Sequence, residues 1–230
     1  MNTTCGPIIC LLHKCNIPMT RLPYQWLAFD FDGTLANTLP WFDTVLASVA
    51  KKYGFRNPAE DEKDLLRHRD VRQILSTLDI PFWKAPAILM EFRQRMQDAT
   101  PDVPLFDGME QVLAALKEAG YQIAVLSSNS ESNVRRTLGQ AAVMIDQYRC
   151  GSDLFGKASR LKTLYRQTGC TPDACLLIGD EIRDIEAARE SGCHAASVAW
   201  GYNHPDALSV KEPDYLFRTP DDIRAQLLPI

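Results

Sequence analysis

The chain reads as an α/β protein: a parallel sheet flanked by helices, with a helical segment inserted into it. Three observations predict this. Short, nearly continuous apolar runs recur at 27–29, 121–128, 174–180 and 194–200, as in strands covered on both faces. Stretches with helical spacing separate the later runs, and strand–helix alternation builds a parallel sheet with right-handed crossovers. The region 39–103 breaks that rhythm, because it carries helical patterns and almost no strand signal.

Leu27 to Phe29 is the core of the first strand, and it runs straight into Asp30-Phe31-Asp32-Gly33-Thr34. Phe42, Val45, Leu46 and Val49 follow at i, i+3, i+4, i+7, the spacing of one helix face. Leu65, Leu66, Val71, Ile74, Leu75 and Leu78 predict a second helix, and Ile88, Leu89, Phe92 and Met96 a third. Pro81, Pro86, Pro101 and Pro104 punctuate this region. Trp41, Trp83 and Phe92 read as its interior. Met109–Ala119 is a helix stopped by Gly120, and 121–128 is a strand. Ser130 is the N-cap of a helix over 130–138. Further helices are expected over 157–168 and 182–191, with strands at 174–180 and 194–200. The expected division is an N-terminal extension (1–22), a core domain (23–38 with 104–230) and a helical insert (39–103). The sequence shows no internal repeat and no low-complexity tract.

With 230 residues, 46% of them hydrophobic, the chain can bury one large domain, or one domain with a smaller insert. A net charge of −4 and the lack of a face-sized basic cluster argue against a nucleic-acid partner. The longest apolar runs fall far short of the roughly 18 residues of a membrane helix, so no membrane partner is expected. Seven scattered cysteines suggest reduced thiols and a cytoplasmic location rather than a disulfide framework. Cys5, Cys10 and Cys15 do not match a zinc spacing. The run Ile8-Ile9-Cys10-Leu11-Leu12 is shorter than the ~7–15 residues of a secretory signal core. Met19 stands just before the first strand, so residues 1–18 are expected to be dispensable.

Four polar spots fall at strand ends or helix starts: Asp30 with Asp32, Ser127 with Ser128, Lys157, and Asp180 with Asp184. In open α/β sheets ligands gather at the carboxyl ends of strands, so these spots would converge. Each has a plain alternative: turn residue, N-cap, solvated lysine, or acids at a helix start. Together, however, four carboxylates near one point repel unless a cation sits among them. All-oxygen ligands suit a hard divalent cation, Mg²⁺ above all. Gly33 allows a sharp turn and a close backbone approach to a ligand.

The stretches "DFDGT", "VLSSNS", "FGK" and "GDEIRD" resemble, in order, the four motifs of the haloacid dehalogenase-like (HAD) hydrolase superfamily. The likeness extends from about Leu22 onward. The insert resembles that superfamily's C1-type helical cap, and "WGYNHP" (200–205) resembles the phosphoglycolate phosphatase-like branch. The resemblance implies a Rossmannoid core and a Mg²⁺-dependent phosphomonoester hydrolase working through an aspartyl-phosphate. Asp30 would be the nucleophile and Asp32 the general acid and base. Ser127 and Lys157 would bind the phosphoryl group, with Lys162 the weaker candidate for the lysine role. Asp30, Asp32, Asp180 and Asp184 would hold the metal. Gly33, Thr34, Ser128 and Asn129 would lie against the substrate. Haloacid dehalogenases lack an aspartate at the position of Asp32, so its presence favours phosphate esters. Arg183 reads as a partner of the acids near the metal.

The partner implied is a small phosphorylated metabolite, phosphoglycolate-like, and no oligomeric state is implied. A sugar phosphomutase shares the same catalytic residues, and a non-catalytic HAD-like scaffold is the reading from another class. The insert should select the substrate. Arg67, His68, Arg69 and Arg72 make "LLRHRDVRQIL" cationic, and an arginine there, Arg67 or Arg69 above all, would grip a substrate carboxylate. Asn37, Thr38 and Trp41 would line the same pocket.

Overall fold

The computed structural model describes residues 24–98, 103–151 and 156–228. The expected extension, Met19 and the three early cysteines lie outside the described residues. Among those described, six strands form one parallel sheet in the order β3-β2-β1-β4-β5-β6. The strands are β1 (Trp26–Phe29), β2 (Gln122–Ser127), β3 (Gln147–Cys150), β4 (Cys175–Gly179), β5 (His194–Val198) and β6 (Tyr215–Phe217). Helices α5 (Met109–Glu118), α6 (Glu131–Leu138), α7 (Lys157–Thr168), α8 (Ile182–Ser191), α9 (Pro205–Ser209) and α10 (Pro220–Leu227) belong to the sheet's connections and C-terminal end. Helices α1 (Leu39–Tyr53), α2 (Glu60–Arg67), α3 (Val71–Thr77) and α4 (Ala85–Asp98) all fall between β1 and α5.

Period-two alternation sends the side chains of each strand to two cores. Leu27, Phe29, Ile123, Val125, Leu176 and Ile178 pack on one face, with α5, α6 and α10. Trp26, Ala28, Ala124, Leu126 and Leu177 pack on the other, with α7, α8 and α9. This is why the strands read as unbroken apolar runs. Val49, Leu78, Ile80 and Ile88 form a separate small core within the four-helix segment. No helix among the described residues is long and apolar enough to cross a membrane.

Three features depart from the sequence reading. The helix expected over 65–78 is two helices, because Asp70 caps a new one: its side chain accepts from Gln73 N at 2.9 Å, and the Gln73 side chain accepts from Asp70 N at 3.0 Å. Trp83 is not interior; it is 76% exposed, beside Phe82, which is exposed as well. The strands β3 and β6 lie at the two sheet edges, where "QYRC" and "YLF" are only partly buried and give no continuous apolar signal.

Both ends of the helical segment meet at a short ladder. Asn37 N donates to Pro104 O (2.9 Å) and Phe106 N to Leu35 O (3.0 Å), around an antiparallel Ala36–Leu105 bridge.

Candidate active site

Register decides which polar residues meet. β1 is central, with Phe29 opposite Val125 on β2 and Ile178 on β4. Asp30, Ser127 and Asp180 therefore emerge at one sheet edge, the crevice where strand order reverses. Asp30 is 3% exposed. Its Oδ1 accepts from Phe31 N at 2.7 Å, and its Oδ2 lies 2.6 Å from Lys157 Nζ. Lys157 also donates to Asp184, so one buried ammonium, at the first residue of α7, joins two buried carboxylates. Burial pushes the Asp30 carboxyl up to about 7 against the pull of Lys157, and the charge of Asp184 adds to the rise. The Lys157 ammonium is held above its ordinary range, as its two carboxylates outweigh the burial that disfavours its charge.

Asp180 is fully buried. Its Oδ1 accepts from Thr34 Oγ1 and its Oδ2 from Tyr202 N, both at 2.7 Å. Burial, with the charges of Glu181, Asp30 and Asp184, raises its carboxyl well above the usual carboxylate range. Asp184 Oδ2 accepts from Glu181 N at 3.1 Å, fixing the first turn of α8. The backbone must pass very close to these acids. A Cβ on Gly33 would lie 2.3 Å from Asp180 Oδ2, one on Gly201 2.1 Å from Asp180 Cβ, and one on Gly179 2.3 Å from Asp184 Oδ2. Gly33 also takes φ of 79°, which L side chains rarely adopt.

Asp32 is only half-buried, on the wall of a cavity of 340 Å³ that lies between the sheet edge and α1–α4. Burial pushes its carboxyl up, against the pull of Arg183 and Lys157. Ser127 Oγ donates to Asp32 Oδ2 at 3.4 Å and accepts from Asn129 N at 2.9 Å. Ser128 and Asn129 line the same cavity. Asn129 is pinned by Ser130 N and Asn133 Nδ2, and it donates to Met96 Sδ on α4.

Other candidates lie apart from the acids. Lys162 faces Glu190 at 3.3 Å on the surface. Arg67 lines the cavity, but its guanidinium donates to Tyr202 O (3.1 Å) and Gly201 O (3.2 Å). Arg69 reaches Thr77, and Arg72 lies against a different hollow. Asn203 ties the same loop to α2 and α8: its Nδ2 donates to Arg67 O and Arg69 O, and its Oδ1 accepts from Ile182 N.

Among the described residues, the acids whose ligand oxygens all lie within 4.8 Å of one another are Asp30, Glu181 and Asp184; Asp180 and the Asp32 side chain, also expected as ligands, are not in that group. Glu181 was not among the expected ligands, and it also accepts from Arg183. An all-carboxylate donor set, with neighbouring carboxyls held high by mutual repulsion and burial, fits a hard divalent cation.

Comparisons with known proteins agree with this architecture. The family of haloacid dehalogenase-like hydrolases matches residues 27–198. A phosphoglycolate phosphatase of Synechococcus elongatus is 31% identical over 201 residues, covering 86% of this chain and 95% of that protein. An N-acetylmuramic acid 6-phosphate phosphatase of Pseudomonas aeruginosa is 30% identical over 209 residues, covering 82% and 87%. The solved structure of a haloacid dehalogenase-like hydrolase from Streptococcus pneumoniae superposes with a TM-score of 0.73 at 18% identity, over 88% of this chain and 98% of that one, and so shares the fold. With a family match across most of the chain and two phosphatases at about one residue in three, the chain belongs to the haloacid dehalogenase-like hydrolases, in their phosphoglycolate phosphatase-like branch, and is a hydrolase of phosphoric monoesters.

Proposed function

We propose that the protein hydrolyses a small phosphorylated metabolite of the phosphoglycolate kind, in the cytoplasm, with Mg²⁺ and by way of an aspartyl-phosphate on Asp30. The observation that carries this reading is the pair of carboxylates at the end of β1: Asp30 buried against Lys157, and Asp32 open to the cavity with a carboxyl held high. Such a pair divides one hard hydrolysis into two steps. In the first, an Asp30 oxygen attacks phosphorus and the ester bond breaks, while Asp32 gives its proton to the departing alcohol. In the second, Asp32 takes a proton from water, the water oxygen attacks the same phosphorus, and Asp30 is released with inorganic phosphate. Lys157 offsets charge on the nucleophile and the phosphoryl oxygens, and Ser127 positions the phosphoryl group.

Mg²⁺ would be held by Asp30, the Asp32 backbone carbonyl, Asp180 and Asp184, with Glu181 close enough to contribute. When bound, it neutralises phosphoryl charge. Residues 39–103 act as the cap that closes the cavity over the substrate, and Gly33, Thr34, Ser128 and Asn129 shape its floor. The test is release of inorganic phosphate from phosphoglycolate and a panel of other phosphomonoesters, with Mg²⁺ and with EDTA. Release that requires Mg²⁺ supports the reading; no release from any ester, or release undiminished by EDTA, sinks it.

A further inference from the structure

The cavity has a wall that the proposed chemistry leaves unused. It is formed by α4, where Arg93 lines the cavity along with Asp32, Ser128 and Asn129. We propose that Arg93 is the specificity residue: it binds the carboxylate on the alcohol portion of the phosphomonoester. This rests on the phosphatase reading above and names the residue of the same site that recognises the rest of the substrate.

The first argument is charge. Arg93 Nη2 donates to Gly151 O at 3.0 Å, and Arg160 Nη2 donates to the same oxygen at 3.2 Å, so two guanidiniums share one carbonyl. Arg93 Nε is enclosed and has no hydrogen-bond acceptor among the described residues. A guanidinium stays protonated when buried, and the nitrogen left for an arriving anion is Nη1, which makes no hydrogen bond among the described residues and is not enclosed as Nε is. The second argument is elimination among the cations on that side. Arg67 is engaged with two loop carbonyls, Lys63 with Asp43 and Glu60, and Arg183 with Glu181, while Arg69, which also lines the cavity, is exposed to solvent and reaches Thr77. Arg93 spends Nη2 on one backbone carbonyl and leaves Nη1 without a hydrogen bond among the described residues.

The third argument is the shape of the space. A cavity of 340 Å³ falls in the range of sites for whole organic ligands, roughly 300–1,000 Å³. Trp41, Phe42, Leu66, Ile74 and Phe92 give it apolar sides. An ester would thus place its phosphoryl group at the sheet edge, its carbon body against these side chains, and its carboxylate on α4. The two relatives named above are phosphatases whose named substrates are phosphate esters of hydroxyl groups on molecules that also carry a free carboxylate, glycolic and N-acetylmuramic acid.

The experiment compares phosphoglycolate with 2-hydroxyethyl phosphate, which has the same chain length and no carboxylate, in Mg²⁺. Wild-type kcat/KM should favour phosphoglycolate by at least about tenfold, the scale of one hydrogen bond to a charged group. In R93Q that ratio should fall toward one, mainly through KM for phosphoglycolate. R93K keeps the charge but not the planar fork, and should lie between; it carries the comparison if circular dichroism shows R93Q unfolded. A wild-type ratio near one, or a ratio unchanged in the variants, overturns the assignment of Arg93 while hydrolysis of both esters leaves the phosphatase reading standing. A wild-type enzyme that releases phosphate from neither ester, nor from p-nitrophenyl phosphate, overturns that reading and the inference with it.

Discussion

Replacing Gly33 by alanine tests the claim that the chain is threaded past its acids with no room to spare. The new methyl would lie 2.3 Å from Asp180 Oδ2 and 2.6 Å from Tyr202 Cδ2, where unstrained carbon contacts need about 3.5–4.0 Å. Asp180 cannot swing aside freely, because Thr34 and Tyr202 N hold both of its oxygens. Two costs add. Left-handed backbone at φ 79° costs a non-glycine residue about 1–2 kcal/mol. Overpacking of a closed site costs about 1–3 kcal/mol more. Gly54 separates them: it caps α1 at φ 69°, and a methyl added there would meet nothing within 4 Å, so Gly54→Ala should carry the backbone cost alone. Urea unfolding followed by far-ultraviolet circular dichroism measures both variants. Gly33→Ala should unfold at a midpoint about 0.3–1.5 M below that of Gly54→Ala, for a slope of about 2–3 kcal/mol/M. Equal midpoints for the two variants would refute the crowding argument.

Three other outcomes are expected. If Asp30 is the nucleophile, Asp30→Asn should abolish phosphate release without unfolding the chain, and rapid-quench labelling should find no phosphoenzyme. In EDTA the same variant changes the response to pH. The folded Asp30 keeps its proton up to about 7 while the unfolded residue loses it near 3.8, so the stability this provides is complete at low pH and is lost as pH rises through about 7. Wild type should therefore lose more urea resistance than Asp30→Asn between about pH 5 and pH 8. Mg²⁺ at about 100 times its Kd should stabilise the fold by about 2.7 kcal/mol. That is a rise in Tm of about 5–10 °C at this size by differential scanning fluorimetry, and it should shrink in Asp184→Asn and Glu181→Gln. Asn203→Ala removes donors to Arg67 O (2.7 Å) and Arg69 O (3.0 Å) and the acceptor for Ile182 N (2.9 Å). It should cost about 2–4 kcal/mol, with amide exchange of α2 speeding up ahead of the sheet.

What could be read in advance was whatever a single strand or helix dictates by itself. β1 was legible because an apolar run buried on both faces stops at two carboxylates, and β2, β4 and β5 because they share its composition. The edge strands were not, since β3 and β6 bury only part of their short sequences and alternate no clear apolar face. The break between α2 and α3 hinged on one side chain, Asp70, turning back on its own helix. At the site, Asp30, Lys157, Asp180 and Asp184 announced themselves as charges at element ends. Glu181 did not, because its closeness to Asp30 depends on how tightly the start of α8 turns around Asp184. Arg93 was hidden for a different reason. Helical spacing tells which residues share a face, but not which of four helices lies across the cavity; of the arginine cluster on α2 and α3, Arg67 is tied to two loop carbonyls and Arg69 reaches Thr77.

The ladder at 35–37 and 104–106 has a consequence for how such a molecule can change. The chain leaves the sheet and returns to it at points that touch, since Ala36 and Leu105 are already bridged. In an antiparallel pair such neighbours stand only about 4.5–5.5 Å apart, a gap that a very short turn can close. Everything between them can thus be lengthened, shortened or exchanged wholesale without rethreading a strand or disturbing the register that sets the end of β1 beside the end of β4. The acids and the helices above them are joined like a tool and its interchangeable head, and a lineage can alter its diet by refitting one while inheriting the other intact.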